Sequence, residues 1–407
     1  MAARLPRFIG PYSVEGRLGT GGMGIVLYAR HRLLGREVAV KIRHRGENQD
    51  EHLLAERFRQ GAILQAELDH PHVARVYDYL ESPMFQAIVM EYLPGGSLED
   101  KLRSVDGPLP IPMAIDIGIR SADAMAYAHR RTVVHRDIKP ANLMMVDADD
   151  PGSVRITDFG VAKALERSPD LTVAGANVGT LWYMPPEQFN HEKPTPLADV
   201  YSLGATIYEM LTGQIPFEAP DTSEIFRRFL DGVPPPPILG RNPFVPPTVA
   251  AVVETALALK PEARIPSAAV LALLLRAVAE GEGITIEDTA GRRLLAQANA
   301  HEIKRILQGL GGTVGREVGQ ALSAFESRLL GGSAVTRVDS APVPPHEPSE
   351  ISSLSLSGSL EQGDPFEPSE HEVEHLVNRA GHRMPVLHAD DEEDRTAVMD
   401  APTMDDD

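Results

Sequence analysis

The sequence predicts an α+β chain with two lobes and a C-terminal extension that is partly helical and partly disordered. Strand patterns separated by glycine turns fill residues 12–92, with one helical stretch among them. Helical periodicity then dominates residues 97–278. We therefore expect a small antiparallel-sheet N-lobe with one main helix, joined through residues 90–96 to a larger, mainly helical C-lobe.

The N-lobe pattern begins after an N-terminal arm, residues 1–11. Its predicted strands either alternate apolar and polar residues or are continuously apolar, and the predicted helix lies between the third and fourth strands. In chain order the elements are strands Tyr12–Leu18, Ile25–His31 and Arg36–Ile42, helix Glu51–Leu68, and strands Ala74–Tyr79 and Ala87–Tyr92.

The C-lobe pattern includes long helices at Pro112–His129 and Ala198–Thr212. Two amphipathic helices are predicted in residues 284–330, and the second repeats apolar residues every three or four positions on one face. That face either packs on the C-lobe or binds a partner, and the pattern leaves both open. The apolar residues that repeat on the second helix are Val314, Val318, Leu322, Phe325 and Leu329.

Residues 331–407 hold too few apolar side chains to offset chain entropy, so we expect disorder.

The composition narrows the class of protein. No cysteine occurs in 407 residues, which excludes disulfides, zinc–thiolate sites, iron–sulfur clusters and thiol nucleophiles. Residues 1–11 contain no apolar run, so we expect no signal peptide. The apolar stretches Thr248–Leu259 and Ser267–Leu275 fall short of the roughly 18 residues of a spanning helix. We expect a cytoplasmic protein without a membrane anchor.

The net charge of −19 is unevenly distributed. Residues 331–407 contain 18 Asp and Glu against 4 Arg, so this segment carries −14 of the total. The remaining chain is close to neutral and gives no basic footprint for nucleic acid, while the acidic tail repels phosphate backbones and anionic lipid. We expect neither nucleic acid nor membrane as a partner.

A glycine-rich motif lies between two strand patterns. Gly19, Gly21 and Gly24 have the spacing G-x-G-x-x-G, with Gly22 as an additional glycine. Glycines allow backbone N–H groups to approach phosphates closely, and Val26 would cover a nucleotide base from above. A dinucleotide-binding turn is excluded because a helix should follow its glycines. The motif therefore predicts a phosphate-binding hairpin, although short glycine motifs alone have low specificity.

The next strand pattern contains Val38-Ala39-Val40-Lys41. Ala39 is small enough to line an adenine slot, and Lys41 supplies a cation that can reach the α- and β-phosphates. A single strand lysine is usually only solvated. The significance of Lys41 lies in its distance from the glycines, which matches the following strand.

The most specific segment is His135-Arg136-Asp137-Ile138-Lys139-Pro140-Ala141-Asn142, followed by Asp158-Phe159-Gly160. This order and spacing resemble the signature motifs of protein kinases, and the roles given next are what that resemblance implies. Phosphoryl transfer requires a carboxylate to orient a hydroxyl and accept its proton, plus oxygen ligands for Mg²⁺ or Mn²⁺ bound to ATP. Asp137 has the chemistry for the first role, and Asn142 and Asp158 for the second. Lys139 can offset charge on the transferred group.

These motifs resemble the bacterial eukaryotic-like (Hanks-type) serine/threonine protein kinases over residues 12–272. The resemblance implies the bilobal kinase fold, protein substrates and, from the position of Lys139, specificity for serine or threonine. It also implies a hinge at Met90–Leu93, with Met90 as gatekeeper. The implied nucleotide-binding residues are Leu18, Gly19, Gly21, Gly22, Gly24, Val26, Ala39, Lys41, Met90, Glu91, Leu93 and Met144.

The resemblance continues through residues 179–187, which match the end of a kinase activation segment with Pro185 where alanine is usual. It implies that Thr180 contacts the catalytic aspartate and lysine. It further implies that Asp199 braces the catalytic loop and that Arg264 pairs with Glu187.

One position departs from the family pattern. Family members carry a glutamate on the N-lobe helix that pairs with the strand lysine in the active state, and Gly61 occupies that place here. Glu56 and Glu67 lie five and six residues away, on other faces of the helix. We hypothesise that Lys41 is held by Asp158 or by Glu56 and that activity is reduced or conditional.

Two sets of hydroxyl residues are candidates for modification. The arginine of His135-Arg136-Asp137 reads a phosphorylated activation loop in similar kinases, which makes Ser168 and above all Thr172 candidates for autophosphorylation in trans by a self-associating kinase. In the tail, Thr336, Thr396 and Thr403 lie in acidic surroundings that resemble ligands of forkhead-associated domains. The composition favours the alternative for the tail, a solvated acidic segment with incidental threonines.

Two functional classes remain from the sequence. The first is an active protein kinase that acts in bacterial signal transduction. The second is a nucleotide-binding pseudokinase or scaffold, which Gly61 favours. The catalytic interpretation is preferred because the groups expected to contact metal and phosphate are all present. A small-molecule kinase is a weaker third alternative, since such enzymes usually lack the peptide-binding segment at 179–187.

Overall fold

The computed structural model describes residues 6–21, 24–44, 49–159, 181–190, 193–218, 222–286, 294 and 298–331. Gly22 and Thr180, both expected in the site, fall outside the described residues. The same holds for Ser168, Thr172 and the acidic tail after residue 331, so the expectations for them stay predictions.

The described N-lobe is an antiparallel sheet of six strands in the order β1-β2-β3-β4-β6-β5, with one helix, α1 (Gln49–Ala66). The expected small sheet with one main helix is confirmed. The first strand lies in the predicted N-terminal arm, so the sheet has one more strand than the sequence pattern indicates. The strands are β1 (Phe8–Ile9), β2 (Tyr12–Gly21), β3 (Gly24–His31), β4 (Glu37–His44), β5 (Val76–Glu81) and β6 (Phe85–Glu91).

Strand β4 shows how the sheet sorts its side chains. Val38, Val40 and Ile42 are buried together in the cluster beneath one face. Because successive residues of a strand point to opposite faces, Ala39 and Lys41 lie on the other face. Ala39 there packs in a cluster with Phe58 and Ala62 of α1. The alternation thus directs Lys41 toward the helix side of the sheet.

The predicted glycine hairpin is confirmed by the pairing of β2 with β3, in which Gly21 lies opposite Gly24. Gly24 has a φ of 128°, and a Cβ placed on it would lie 1.8 Å from the carbonyl oxygen of Ile42. Only glycine is compatible with this close approach of the hairpin to β4. By contrast, a Cβ on Gly19 would meet nothing within 4 Å.

The C-lobe is mainly helical, as predicted, with one short antiparallel hairpin between β7 and β8. Its long central helices agree with the sequence pattern to within two residues at each end. The described elements are α2 (Leu98–Ser104), α3 (Ile111–Arg130), β7 (Leu143–Met145), β8 (Val154–Ile156), α4 (Pro186–Phe189), α5 (Pro196–Thr212), α6 (Thr222–Leu230), α7 (Ile238–Arg241), α8 (Pro247–Ala256) and α9 (Ala268–Gly281).

Helix α5 has well-defined ends. Thr195 accepts a hydrogen bond from the N–H of Leu197, and Pro196 occupies the first helical position. Gly213, with a φ of 70°, terminates the helix in a left-handed conformation. This cap places Asp199 in the first turn, where the helix dipole favours a negative charge.

The C-lobe core forms where α3 packs against α5 and α9. All three helices are lined with fully buried apolar residues, many of them alanine. Gly118 lets α3 approach α5 closely, because a Cβ there would lie 2.9 Å from the Cδ1 of Ile207. This tight interface fixes the relative positions of α3 and α5, both of which carry residues of the site.

The helical extension comprises α10 (Ala300–Leu310) and α11 (Gly312–Gly331). Its apolar face packs on α8 and α9 of the C-lobe, with Phe325 2% exposed. Arg328 of α11 also forms two hydrogen bonds of 2.7 Å with Glu280 of α9. Of the two alternatives that the sequence left open, the structure therefore has the helix packed on the C-lobe. No helix in the described part of the chain is both long and apolar enough to cross a bilayer.

Candidate active site

The loop that carries Asp137 is held by a buried carboxylate on α5. Asp199 accepts hydrogen bonds from the backbone N–H groups of His135 and Arg136, both at 2.8 Å. The Nε2 of His129, in the last turn of α3, lies 2.8 Å from the same carboxylate. Asp199 is 0% exposed. The bracing role that the family resemblance implies for Asp199 matches this geometry.

The ionisation of Asp199 follows from these contacts. Burial by itself raises the pKa of the carboxyl, but the hydrogen bonds from His129 and from the Arg136 amide outweigh it and hold the pKa below its usual value. Arg136 has a φ of 72°, an uncommon conformation for a residue with a side chain. The charged carboxylate stabilises this strained backbone just before Asp137.

His135 connects the loop to the segment before Asp158. Its Nε2 lies 2.8 Å from the carbonyl oxygen of Thr157, which can only accept, so the proton is on Nε2. Its Nδ1 then accepts from the N–H of Asp137 at 3.2 Å. The His135 ring also packs edge-on against Phe159, with centroids 4.6 Å apart. These contacts tie the Asp137 loop to the Asp158 segment.

Asp137 contacts both Lys139 and Asn142, the two nearby residues of the same sequence motif. Lys139 Nζ lies 3.0 Å from Asp137 Oδ2. The side-chain amide nitrogen of Asn142 donates to the carbonyl oxygen of Asp137 at 2.7 Å and to its Oδ2 at 3.0 Å. The carboxylate is therefore oriented by a cation and an amide while remaining partly accessible, with 21% of its side chain exposed.

Asp158 meets Lys41 across the cleft between the lobes. The Nζ of Lys41 lies 2.8 Å from Asp158 Oδ1, and only 12% of the lysine side chain is exposed. Burial by itself raises the pKa of Asp158, but the Lys41 ammonium outweighs it, so the pKa is lowered and the carboxyl is ionised. Asp158 has a φ of 66°, so it too is held in a strained conformation.

The ion pair separates the two alternatives for the partner of Lys41. Of these, Asp158 is the residue that Lys41 contacts. Glu56 instead accepts hydrogen bonds from Arg59 and Gln60 on the exposed side of α1. Gly61 leaves α1 without a carboxylate at the position that faces Lys41 in the family pattern.

Gln65 belongs to the site but does not follow from the sequence motifs. Its side-chain oxygen accepts from the N–H of Asp158 at 3.1 Å and from that of Phe159 at 3.4 Å. Gln65 is 4% exposed. The only local signal is a glutamine on the otherwise buried face of α1, one turn after Gly61.

The expected base-binding residues come from both lobes. Ala39 of β4 lies opposite Met90 of β6, and both are nearly buried in one cluster with Val26 packed beside it. Met144 of β7 forms an isolated antiparallel β-bridge with Ser97, and Ser97 lies just after the connection between the lobes. Leu18 of β2 is 37% exposed.

Two backbone N–H groups at the connection between the lobes differ in their hydrogen bonding. The N–H of Glu91 donates to the carbonyl oxygen of Arg75 at 2.8 Å. Within the described residues the N–H of Leu93 has no hydrogen-bond acceptor, although Leu93 is 6% exposed. A hinge amide without an acceptor among the described residues fits a donor for a nucleotide base.

The residues present also fit a divalent cation. Because both amide hydrogens of Asn142 are directed to Asp137, the Oδ1 of Asn142 is left as a ligand. Asp158 contributes an ionised carboxylate. Hard oxygen donors of this kind suit Mg²⁺ or Mn²⁺, which takes its other ligands from water and nucleotide phosphates.

A small antiparallel sheet above a helical lobe, with a strand lysine facing an aspartate in the cleft, defines the class of two-lobed protein kinases. Residues 12–273 match the family model described as protein kinase domain. The chain belongs to this family.

Similar proteins include bacterial serine/threonine-protein kinases. PrkC of Bacillus subtilis is 36% identical over 255 residues, which are 63% of this chain and 38% of PrkC. PknA of Mycobacterium tuberculosis is 36% identical over 277 residues, which are 67% of this chain and 62% of PknA. The kinase drp72 of Corynebacterium efficiens is 40% identical over 238 residues, 57% of this chain and 45% of drp72. The chain thus matches less than two thirds of the length of these relatives.

Proposed function

We propose that the protein is a serine/threonine protein kinase that transfers the γ-phosphoryl group of ATP to protein hydroxyls in bacterial signal transduction. The observation that carries the proposal is the convergence of Lys41 on Asp158 beside an Asp137 that is itself oriented by Lys139 and Asn142.

Each residue has a defined task in the proposed reaction. Asp137 orients the substrate hydroxyl and accepts its proton, and Lys139 offsets the charge of the transferred phosphoryl group. Lys41 binds the α- and β-phosphates once nucleotide enters. Asn142 and Asp158 would hold Mg²⁺ or Mn²⁺, which neutralises charge on the phosphates.

The choice of serine or threonine rests on two supports. Lys139 occupies the position that the family resemblance associates with serine/threonine kinases. PrkC, drp72 and PknA are each described as serine/threonine-protein kinases. Protein substrates are proposed on the same basis.

The alternative is a nucleotide-binding pseudokinase or scaffold, favoured by Gly61. Against it stands the pairing of Lys41 with Asp158, which keeps the lysine in the cleft without the missing glutamate. We retain catalysis as the function that the site supports best.

One assay distinguishes these functions. Wild type, Asp137→Asn and the control Asp69→Asn, whose side chain is 90% exposed, are incubated with radiolabelled ATP, Mg²⁺ and a generic protein substrate. We expect label on protein with wild type and with Asp69→Asn, and a loss of at least about 100-fold with Asp137→Asn. Nucleotide binding without transfer by wild type would establish the pseudokinase alternative.

Regulation is proposed at residues outside the described part of the chain. We propose that Thr172 is autophosphorylated in trans in the cytoplasm, through transient self-association. For the tail the composition favours a solvated acidic segment, and the alternative is that its threonines bind a forkhead-associated-domain partner. Mass spectrometry of active protein after incubation with Mg-ATP should find phosphate on Thr172. A pull-down unchanged by alanine at Thr336, Thr396 and Thr403 would reduce the tail to a solvated segment.

A further inference from the structure

A single buried glutamine connects α1 to the segment that carries Asp158. Besides accepting from the N–H groups of Asp158 and Phe159, Gln65 donates through Nε2 to the carbonyl oxygen of Ala74 at 2.9 Å. Its side chain therefore makes three hydrogen bonds, all to backbone groups. A buried amide satisfied in this way is held in one orientation.

The geometry of the shared acceptor restrains Asp158 itself. The two N–H groups lie on either side of the Cα of Asp158, so a single oxygen that binds both restrains its φ and ψ together. This matters because Asp158 has a φ of 66°, which a residue with a side chain adopts only at a cost. Successive N–H groups that converge on one acceptor are a known way to hold such a conformation.

Gln65 lies one helical turn after Gly61, the position where family members carry the glutamate. The two residues are four apart on α1 and so share a face of the helix. Since Gly61 offers no carboxylate to Lys41, α1 has no direct tie to the lysine in the described residues. The tie instead passes from Gln65 to the backbone of Asp158, and from the Asp158 carboxylate to Lys41 at 2.8 Å.

We propose that Gln65 is a positioning residue that sets the backbone of Asp158 for metal binding and takes over the coupling of α1 to the cleft. The activity part of this proposal rests on the proposed function. The structural part does not. A variant without the amide leaves two inward-facing N–H groups without their acceptor and frees the conformation of Asp158.

The test compares Gln65→Met, which keeps the volume of the side chain but not its hydrogen bonds, with Gln60→Met on the same helix. Gln60 is an exposed glutamine that bonds only Glu56 among the described residues. With ATP saturating, we expect the Mg²⁺ concentration for half-maximal activity to rise about tenfold in Gln65→Met. It should be unchanged in Gln60→Met, and the KM for the protein substrate should be unchanged in both.

Two measurements do not depend on activity. In metal-free wild type the amides of Asp158 and Phe159 should be protected from hydrogen exchange, and Gln65→Met should speed their exchange at least tenfold. Calorimetry with Mg²⁺ and ADP should show the same loss of metal affinity. Urea unfolding of each variant identifies any general loss of stability, and Gln65→Leu replaces Gln65→Met if the latter does not fold.

The proposal is overturned if the two amides exchange at free-peptide rates in wild type. It is equally overturned if Gln65→Met matches Gln60→Met in both exchange and Mg²⁺ binding. Should wild type phosphorylate nothing, the proposed function fails, whereas exchange and calorimetry still decide the role of Gln65.

Discussion

Arg264 and Glu187, 77 residues apart in the sequence, form a bidentate ion pair with distances of 2.6 and 2.7 Å inside the C-lobe. Arg264 is fully buried. Its remaining N–H groups donate to backbone carbonyl oxygens, so all five are used: the acceptors are Ala258, Leu197 and Leu259. The pair joins α4, which contains Glu187, to the loop before α9.

Removal of one partner of this pair should be costly. We expect Arg264→Met to lower the free energy of unfolding by about 3–5 kcal/mol, because it leaves the Glu187 carboxylate buried and unpaired. Arg103→Met is the matched control, since Arg103 is 72% exposed in its pair with Glu99. Urea unfolding measures both. Equal stability of the two variants would contradict the importance of the buried pair.

Stability should also depend on pH through His72, which is 6% exposed. Burial lowers the pKa of His72 from 6.5 to about 4, despite a hydrogen bond to the carbonyl oxygen of Val154. Between these values the unfolded chain binds a proton that the folded chain does not, so stability falls as the pH decreases from 6.5 toward 4. The loss contributed by His72 should reach about 3 kcal/mol.

The comparison of wild type with His72→Asn isolates this contribution, because asparagine can still donate to Val154 but does not titrate. Urea unfolding between pH 7 and pH 4 should show a steeper loss of stability in wild type. Parallel curves for the two proteins would exclude His72 as the titrating group.

The glycine hairpin offers a matched pair of variants. Gly24→Ala places a Cβ 1.8 Å from the carbonyl oxygen of Ile42, whereas Gly19→Ala meets nothing within 4 Å. We expect Gly24→Ala to lower the free energy of unfolding by about 1–3 kcal/mol, because the backbone has to leave its present conformation. Gly19→Ala should unfold like wild type in the absence of nucleotide. Thermal unfolding measures both, and a stable Gly24→Ala would contradict the predicted clash.

The helical extension should stabilise the C-lobe. Phe325→Ala on α11 should cost about 3–5 kcal/mol in urea unfolding, because it opens a cavity against the C-lobe. Leu330→Ala is the control, since Leu330 is 68% exposed. If α11 unfolds in a separate, earlier transition, the extension contributes little to the stability of the lobe.

The missing glutamate can be restored. If its absence limits activity, Gly61→Glu should raise the steady-state rate of phosphorylation, because a carboxylate would join α1 directly to Lys41. Gly61→Gln is the control, since it brings a similar gain in helix propensity without the charge. If Gly61→Glu is no faster than wild type, the hypothesis that the absent glutamate on α1 limits activity is wrong.

Local patterns account for much of the fold. Helix α3 was predicted as Pro112–His129 and spans Ile111–Arg130, because apolar periodicity and helix ends are encoded within a few residues. Strand boundaries are less local. The strand predicted at Ala74–Tyr79 spans Val76–Glu81, since its register depends on pairing with β6 and on a bulge at Val76–Asp78. The two-residue strand β1 is too short for any periodic signal.

The residues of the candidate site also divide into those that local motifs identify and those that depend on distant contacts. The motif resemblance identified Asp137, Lys139 and Asn142, which lie within six residues and meet in the structure. It could not identify Gln65, because the backbone groups that it binds are 93 and 94 residues away. A glutamine on a helix has no pattern that distinguishes such a role from ordinary solvation.

The sequence by itself determined the family, the two lobes and the glycine hairpin, and it predicted residues for contact with nucleotide and metal that stay predictions. These depend on short motifs and on periodicities of two and 3.6 residues. Only the tertiary structure decided that Lys41 pairs with Asp158 rather than Glu56, that Gln65 holds the backbone of Asp158, and that α11 packs on the C-lobe. Each of these contacts joins elements far apart in the chain, so its existence depends on how the helices and strands pack and not on the local sequence.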